Sequence, residues 1–307
     1  MNLKSRSNAD LFFRWFLDGF GIGLILLFIA LLGTLVSSSS VSLDRFGLSF
    51  WFSTEWNPID ENYGALTFIY GTLVTSLLAL VIATPACICL ALFATEICPQ
   101  RWRGFVAFLI EMLAAIPSII YGMWALFVLA PGIKNYAYPF ISQYFPQWAI
   151  FKGPSFGLGI LASSLILAIM IAPIITTVTI EVFKAIPPVQ RFAALALGAT
   201  RWEMMKIALL RPGAKGILGA MILGLGRALG ETMAVAMVIG NSPEISSSLF
   251  GAGATMASVI ANEYAEAVDE IHLSSLSYIA LLLFIITLVI NLIAQKIVTK
   301  TKGIARQ

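Results

Sequence analysis

Charged residues are scarce in this sequence of 307 residues: Asp, Glu, Lys and Arg make up only 11% of it, and hydrophobic residues make up 59%. A soluble globular domain carries about 25% charged residues, so the composition excludes that class. The sequence therefore predicts an all-α integral membrane protein. Because the net charge is only +3, the positions of the charges carry more information than their sum.

Cysteine and histidine are also rare, with three cysteines and a single histidine, His272. Cys87 and Cys89 lie in one apolar stretch and Cys98 lies just beyond it. That placement gives no disulfide framework and no zinc-site spacing, and one histidine argues against a histidine metal site or catalytic triad. We interpret the cysteines as packing residues and expect no metal site.

The sequence contains no Gly-Lys dipeptide, so it lacks the lysine of a nucleotide-binding P-loop. The glycine-rich stretch 224–230 has one residue too many for the dinucleotide motif GxGxxG, and it lies in an apolar segment. We interpret Gly224, Gly226 and Gly230 as helix-packing positions. We expect no cofactor, no catalytic residue and no nucleic-acid partner for this chain, so energy must come from another polypeptide or from an ion gradient.

Six long apolar stretches are spaced along the chain. About 20 helical residues cross the ~30 Å hydrocarbon core of a bilayer. We predict spanning helices at residues 20–36, 62–95, 105–133, 153–180, 216–240 and 274–295. The first stretch resembles a signal peptide, but we favour a retained helix because the chain that follows is itself a membrane protein. Pro85, Pro117 and Pro173 are interpreted as kinks, with a hinge role in gating as the alternative.

Basic residues predict the orientation of these helices. The segments on the side of the N-terminus carry fifteen Lys and Arg residues, and the opposite side carries three. Since positively charged loops stay in the cytoplasm, both termini are predicted to be cytoplasmic. The predicted organisation is a cytoplasmic segment at 1–19, a transmembrane domain at 20–298 with outer loops 41–63, 132–155 and 241–273 and a cytoplasmic loop 184–215, and a cytoplasmic tail at 299–307.

Arg227 and Glu231 interrupt the fifth apolar stretch. A charge at the centre of a span costs at least about 2.5–3.5 kcal/mol, so such residues usually face a protein interior or water and mark function. Residues four apart share a helix face. The pair is interpreted either as a structural ion pair that fixes helix packing or as a substrate site. In the second case Arg227 presents its planar donors to an oxyanion, and Glu231 keeps that anion from binding too tightly to leave.

Two further residues are assigned to the same route. Thr232 follows Glu231 directly and is included in the predicted substrate path. Glu111 lies within the third apolar stretch, and it is a candidate second partner for Arg227. The alternative is that Glu111 lies near the inner surface of the membrane.

The predicted cytoplasmic loop contains a basic insert between Pro188 and Pro212. It is long for a simple connection, since helix–helix loops usually have about 2–8 residues. Its apolar residues recur at helical spacing around Gly198, where a glycine permits a bend. The pattern predicts a short helix, a turn and a second helix that leads into the membrane. The alternative is an amphipathic helix resting on the anionic inner leaflet.

The stretch Phe192-Ala-Ala-Leu-Ala-Leu-Gly198-Ala-Thr-Arg-Trp resembles the EAA loop of bacterial ABC importer permeases, whose pattern is E-A-A, three residues, G, nine residues, then I-x-L-P. Four positions match: Ala193, Ala194, Gly198 and Leu210. Three depart: Phe192 for Glu, Ala208 for Ile and Arg211 for Pro. In that family the loop docks on the ATPase subunit. The resemblance therefore implies six contact residues: Ala193, Ala194, Gly198, Ala199, Arg201 and Trp202.

A second stretch, Gly224-Leu-Gly-Arg227-Ala-Leu-Gly-Glu231-Thr-Met-Ala-Val, resembles the signature of PstC-type permeases of phosphate importers. Other stretches agree: Ile69-Tyr-Gly-Thr-Leu-Val-Thr-Ser76, Glu111-Met-Leu-Ala-Ala-Ile-Pro-Ser-Ile-Ile-Tyr-Gly-Met-Trp124 and Asn262-Glu-Tyr-Ala-Glu-Ala267. The resemblance covers nearly the whole chain from about residue 40.

This resemblance implies a type I ABC importer permease of the bacterial inner membrane, which carries inorganic phosphate and performs no covalent chemistry. Besides membrane lipid it implies a second related permease, a dimer of ATP-binding subunits docked on residues 187–212, and an extracytoplasmic phosphate-binding protein. ATP is then used by the partner subunit. The alternatives are a permease for sulfate, molybdate or phosphonate, an ion-coupled secondary transporter, or a membrane sensor or scaffold.

Overall fold

The computed structural model of the protein describes residues 8–144, 148–151 and 156–304. Within these ranges the chain is mostly helical and carries one antiparallel two-stranded hairpin. The elements are α1 (Asn8–Ser38), α2 (Ser40–Phe46), β1 (Trp56–Asn57), β2 (Asn62–Tyr63), α3 (Leu66–Leu92), α4 (Gln100–Ala115), α5 (Ser118–Trp124), α6 (Ala130–Gly132), α7 (Tyr138–Tyr144), α8 (Ile160–Ala185), α9 (Pro188–Ala196), α10 (Arg201–Met204), α11 (Arg211–Leu229), α12 (Met233–Ala236), α13 (Met256–Glu263) and α14 (Glu270–Ile304).

Five helical stretches of the described chain are long and apolar enough to cross a membrane: Phe13–Ser38, Leu66–Ile97, Ile160–Ala185, Arg201–Leu229 and Glu270–Lys296. A sixth span is formed by the pair Gln100–Ala115 and Ser118–Tyr144, which is bent by 89° at its break. The predicted all-α class is confirmed, and so is the count of six spans when the bent pair is counted as one.

The third span breaks at Ile116 and Pro117, as the proline in the sequence suggests. Ile116 has extended backbone geometry, with ψ near 127°, because a residue that precedes proline avoids the helical region. The break frees carbonyl groups of α4. One of them, on Leu113, accepts a hydrogen bond of 2.7 Å from the hydroxyl of Tyr121 on α5.

Within the predicted outer loop at 132–155, residues 132–144 are helical, because helical structure continues to Tyr144. Tyr138 anchors this extension by packing edge-on against Phe250, with ring centroids 5.1 Å apart. Proline does not end the segment: Pro131 lies within the helical run, between the π-helical stretches Ala125–Leu129 and Ile133–Ala137. Of the remaining predicted loop, residues 145–147 and 152–155 lie outside the described residues.

The predicted fifth span, residues 216–240, is also displaced. The helix begins at Arg201, passes through a π-helical segment at Met205–Leu210 and ends at Leu229. Residues 201–215, predicted as part of the cytoplasmic loop, are therefore continuous with the helix of the fifth span. The start is fixed by Thr200, whose side chain accepts a hydrogen bond from the N–H of Glu203 while the Glu203 carboxylate accepts one from the N–H of Thr200. Such a capping box satisfies two otherwise free N–H groups.

The predicted outer loop at 241–273 is not a surface loop throughout. Phe250, Ala254, Met256 and Val259 are buried in two apolar clusters of the bundle. This packing is possible because the loop backbone is hydrogen-bonded to the first residues of α8. The N–H groups of Ile160 and Leu161 donate to the carbonyl oxygens of Gly251 and Leu249 in the loop, and that of Gly159 donates to Val238, just before the loop. The loop thus satisfies donors that the start of a helix leaves free.

The centre of the bundle is formed by α3 and α8. Small side chains of α3, including Ala79 and Ala83, pack against Leu167 and Ile171 of α8. At the end opposite residues 187–212, the hairpin and α2 close the bundle with an aromatic cluster built on Phe50, Tyr63 and Phe68. The long helix α1 is largely exposed and contacts the remainder through α14 and α2.

Gly71 provides a test of how closely α3 approaches the 241–273 segment. A β-carbon at this position would overlap the carbonyl oxygen of Ala254, whereas one at Gly104 of α4 would meet no atom within 4 Å. We expect Gly71→Ala to destabilise the protein by about 1–3 kcal/mol, the usual cost of overpacking. The measurement is the thermal unfolding midpoint in detergent. Gly104→Ala is the control and should not lower the midpoint, since alanine favours a helix by roughly 0.5–1 kcal/mol. Equal midpoints for the two variants would contradict this close approach.

Candidate functional site

Arg227 and Glu231 lie at a break in the fifth span. Arg227 belongs to the last turn of α11, Gly230 follows the helix end, and Glu231 is in the non-helical residues before α12. Arg227 Nη2 and Glu231 Oε2 are 4.0 Å apart. The two side chains differ in exposure: that of Arg227 is 42% exposed and that of Glu231 is 8% exposed. The pair is therefore a loose contact between a fixed carboxylate and an accessible guanidinium.

The carboxylate of Glu231 has a second partner. Its Oε1 accepts a hydrogen bond of 3.4 Å from the N–H of Ala234 in α12, so it also satisfies a donor that the break leaves free. Arg227 is at the carboxyl end of α11, where the helix dipole favours a cation. The neighbouring Thr232 donates its hydroxyl hydrogen to the carbonyl oxygen of Gly230 at 3.4 Å. The break thus holds one charge of each sign, and side chains satisfy two of its backbone groups.

The break in the fifth span meets the break in the third. Arg227 lines a cavity of about 130 Å³. The other lining residues come from α4, the break at Ile116, α5 and α8: Leu113, Ala114, Ile116, Tyr121, Met170 and Ile174. The cavity is larger than the roughly 30 Å³ that a water molecule occupies in the liquid. Two discontinuous helices therefore enclose a small space with a guanidinium at its edge.

Glu111 does not pair with Arg227 in the described part of the chain. It is exposed on α4 and lines a neighbouring cavity of about 490 Å³. The two cavities share Ala114 and Ile174, so Glu111 and Arg227 lie on adjoining spaces. The structure thus places Glu231 beside Arg227 and places Glu111 in the neighbouring cavity.

Tyr121 and Asn291 are not among the site residues predicted from the sequence. Tyr121 occupies the position four residues after Pro117, where a hydroxyl can reach a carbonyl freed by the break. Asn291 is a polar residue in the apolar helix α14, and its Oδ1 lies 3.8 Å from the point that a β-carbon on Gly226 would occupy. A polar side chain within an apolar span was the available signal in both cases.

The three glycines of the 224–230 stretch have different surroundings. A β-carbon on Gly224 would approach the Ile175 side chain of α8 to 2.8 Å, so this glycine permits close packing of α11 on α8. The nearest atoms to such a carbon on Gly226 and Gly230 are 3.8 Å away. Within this chain those two positions do not require glycine for packing, and Gly230 instead follows the end of α11.

Residues 187–212 form the predicted short helix, turn and second helix. The turn follows α9 and depends on Gly198, whose φ of +83° is in the left-handed region. The N–H groups of Gly198 and Ala199 donate to the carbonyls of Leu195 and Ala194, which is the Schellman pattern for ending a helix. The capping box at Thr200 then starts α10. Its Thr-x-x-Glu signature was visible in the sequence and was missed.

The six residues assigned to ATPase contact lie on or beside this turn. Ala193, Gly198, Arg201 and Trp202 are exposed, and Ala194 and Ala199 are partly buried. Large apolar side chains nearby are also exposed: Val189, Phe192 and Leu197. A cluster of exposed apolar side chains on a polar-flanked segment marks an interaction surface.

Comparison with known proteins identifies the family. Residues 87–302 match the profile described as "Binding-protein-dependent transport system inner membrane component". The chain is 46% identical over 266 residues to the phosphate transport system permease protein PstC of Mesorhizobium japonicum, across 85% of this chain and 81% of the relative. It is 42% identical over 293 residues to the protein of the same name from Xylella fastidiosa, across 94% and 90%.

The fold is shared with a solved bacterial alginate ABC transporter in complex with its alginate pentasaccharide-bound periplasmic protein. The TM-score is 0.62 at 17% identity, across 94% of this chain and 96% of that chain. This likeness shows a type I ABC importer permease fold. The chain therefore belongs to the family of binding-protein-dependent transport system inner membrane components, as an inner-membrane permease subunit and not an enzyme, within the group of PstC permeases.

Proposed function

We propose that this chain forms part of the route by which inorganic phosphate crosses the membrane in an ATP-driven importer, and that Arg227 meets the anion. The observation that carries the proposal is the accessible guanidinium of Arg227 at a helix break, 4.0 Å from a buried carboxylate. The curated relatives named PstC support phosphate as the substrate.

The chemistry of Arg227 suits an oxyanion that must be bound and released. A guanidinium matches phosphate geometry through parallel N–H donors. At 4.0 Å its contact with Glu231 is longer than a charge-assisted hydrogen bond of about 2.7–2.9 Å, so the Arg227 donors are free to turn toward a ligand. Glu231 stays in place through its bond to Ala234 and competes with the anion, which keeps binding weak enough for release.

The placement of the pair agrees with a transport site. Helix breaks inside a membrane occur where the backbone lines a cavity or is enclosed by protein. In many transporters the substrate site is formed by discontinuous helices. Here the break beside Arg227 and the break at Pro117 border one cavity, which supports a route between α4, α5, α8 and α11.

The exposed surface of residues 187–212 is the proposed docking site for a dimer of ATP-binding subunits, which would use ATP while this chain uses none. The excess of basic residues at this end supports a cytoplasmic location for both termini. Under the same proposal, a second permease completes the route, and a phosphate-binding protein docks at the end formed by α2, the hairpin and the 241–273 segment.

Removal of either charge at the break tests the substrate role. We expect Arg227→Gln and Glu231→Gln each to lower ATP-dependent phosphate uptake into proteoliposomes by at least about ten-fold, equivalent to roughly 1.4 kcal/mol, while the complex still assembles. Arg101→Gln and Asp18→Asn remove a positive and a negative charge from exposed positions outside the break and outside the proposed docking surfaces, and both variants should transport normally. Wild-type uptake by both break variants would reject the assignment.

The double variant Arg227→Gln/Glu231→Gln separates the substrate role from a purely structural ion pair. Removing both members of a structural pair is often tolerated, because no lone buried charge remains. A substrate role instead predicts that the double variant stays inactive, since the anion has lost its donor. Recovery of uptake would favour the structural interpretation.

Competition by sulfate, molybdate or phosphonate in the wild-type assay decides among the alternative oxyanions.

Gly198 tests the docking surface. We expect Gly198→Val to weaken ATPase binding, because a β-branched residue strains the left-handed backbone at φ of +83° by at least about 1–2 kcal/mol. Gly198→Asn should retain binding, since asparagine adopts this geometry more readily and a β-carbon there meets no atom within 4 Å. Co-purification of the ATPase and its hydrolysis rate are the measurements. Equal binding by the valine variant would count against docking at this turn.

A further inference from the structure

One guanidinium joins the 187–212 segment to the ends of two membrane helices. Arg191 lies in α9, and its Nε is 3.2 Å from Glu96 Oε1, an ion pair in which the N–H is not aligned for a hydrogen bond. Its Nη2 donates a hydrogen bond of 2.7 Å to the carbonyl oxygen of Phe183. Glu96 belongs to the π-helical turn Phe93–Ile97 that ends the α3 span, and Phe183 lies in the last turn of α8. Arg191 therefore contacts α3 and α8 at the same time.

This contact is shielded from solvent. The side chains of Arg191 and Glu96 are 20% and 15% exposed. The nearby pair Glu181–Lys184 is more than 60% exposed at both residues and joins two positions of one helix. Exposed pairs contribute little to structure, and partly buried pairs are less screened by salt. The Arg191 contact is thus suited to holding separate elements together, and the exposed pair is not.

The remainder of α9 is loosely held. No side chain of this helix is buried, and the partly buried Ala194 adds a small contact with the apolar cluster around Met204 and Leu209. Phe192, which follows Arg191, replaces the glutamate of the EAA pattern and is exposed. The polar attachment of the segment to its own subunit therefore comes from Arg191, one position earlier.

The helices that Arg191 contacts lead to the Arg227 cavity. Cys87 of α3 packs in one cluster with Ile171 and Ile175 of α8, and Ile174 of α8 lines the cavity. At 1.5 Å per residue, Ile174 is about 14 Å along the helix from Phe183. A displacement of α9 that is passed to Phe183 can thus reach the cavity through one continuous helix.

We propose that Arg191 is a positioning residue that makes α9 and the ends of α3 and α8 move as a unit, so that closure of the ATPase subunits is transmitted to the Arg227 cavity. The inference rests on the proposed function. Substrate contact by Arg227 and transmission by Arg191 are separate events. Arg191 contacts α8 at Phe183, whereas the Arg227 cavity borders α8 at Ile174.

The test is the amount of phosphate taken up per ATP hydrolysed by the complete transporter in proteoliposomes. We expect Arg191→Gln and Glu96→Gln each to lower this ratio about five-fold or more, within the usual range of coupling between sites, while hydrolysis continues. The double variant should be no worse than either single variant, since both remove one contact. Lys184→Gln is the control, because it removes a charge from the exposed pair and should leave the ratio unchanged.

Arg191→Lys keeps the inference testable where the neutral variants do not assemble. Lysine retains the charge beside Glu96 but lacks the planar fork that also reaches the Phe183 carbonyl. We expect an assembled complex with a lowered ratio, and a wild-type ratio in this variant would overturn the proposal.

A covalent link provides a second, independent test. Glu96→Cys and Arg191→Cys are combined in a background without Cys87, Cys89 and Cys98, and the two thiols are joined by a short bifunctional reagent. We expect the link to restore the uptake ratio that the unlinked variant loses, since it holds α9 to α3. A linked complex that hydrolyses ATP without uptake would show that these elements must separate, which would overturn the inference. Absence of ATP-dependent phosphate uptake by the wild type would contradict the proposed function instead.

Discussion

The structure depends on the satisfaction of backbone hydrogen bonds without water. In the hydrocarbon region an unpaired N–H or carbonyl is costly, so irregular backbone is tolerated only where other protein groups bind it or where it lines a wet cavity. This permease breaks two of its spans and packs a long loop into the bundle. The Tyr121 hydroxyl binds a carbonyl freed from α4, and the Glu231 carboxylate binds the N–H of Ala234 after the second break.

The same requirement explains the burial of the segment after residue 240. The start of α8 has N–H donors that no side-chain cap satisfies. The loop supplies two backbone carbonyls for them, on Leu249 and Gly251, and Val238, just before the loop, supplies a third. Glycine is required where the two backbones meet: a β-carbon on Gly159 would overlap the Gly251 carbonyl, and φ at Gly159 is +145°. The loop and α8 therefore form one unit, and α8 is also the helix that joins the Phe183 carbonyl to the Arg227 cavity.

Local sequence patterns predicted some parts of this arrangement. Apolar length gave the six spans, Pro117 gave the break in the third, and the helical spacing around Gly198 gave the helix–turn–helix. The boundaries of the fifth span were not predictable from hydropathy, because the capping box at Thr200 starts the helix before the apolar stretch begins. Burial of residues 250–259 could not be predicted because it depends on hydrogen bonds between carbonyls of this loop and N–H groups at the start of α8. The loop and the start of α8 are far apart in the sequence. The Arg191–Glu96 contact joins residues 95 positions apart, and no spacing rule relates them.

The unequal exposure of Arg227 and Glu231 has a consequence for the proposed route. The carboxylate is held by the N–H of Ala234 and is nearly buried, while the guanidinium side chain is 42% exposed. Under the proposed function, an entering phosphate would displace Glu231 from Arg227, and the two side chains would return to contact when the anion leaves. The pair is neutral overall, and Arg227 is the only cation that lines this cavity among the described residues. An anion placed there brings net negative charge into a region of low dielectric, where uncompensated charge is costly. The compensating charge must then come from beyond this cavity, which supports the proposal that a second permease completes the route.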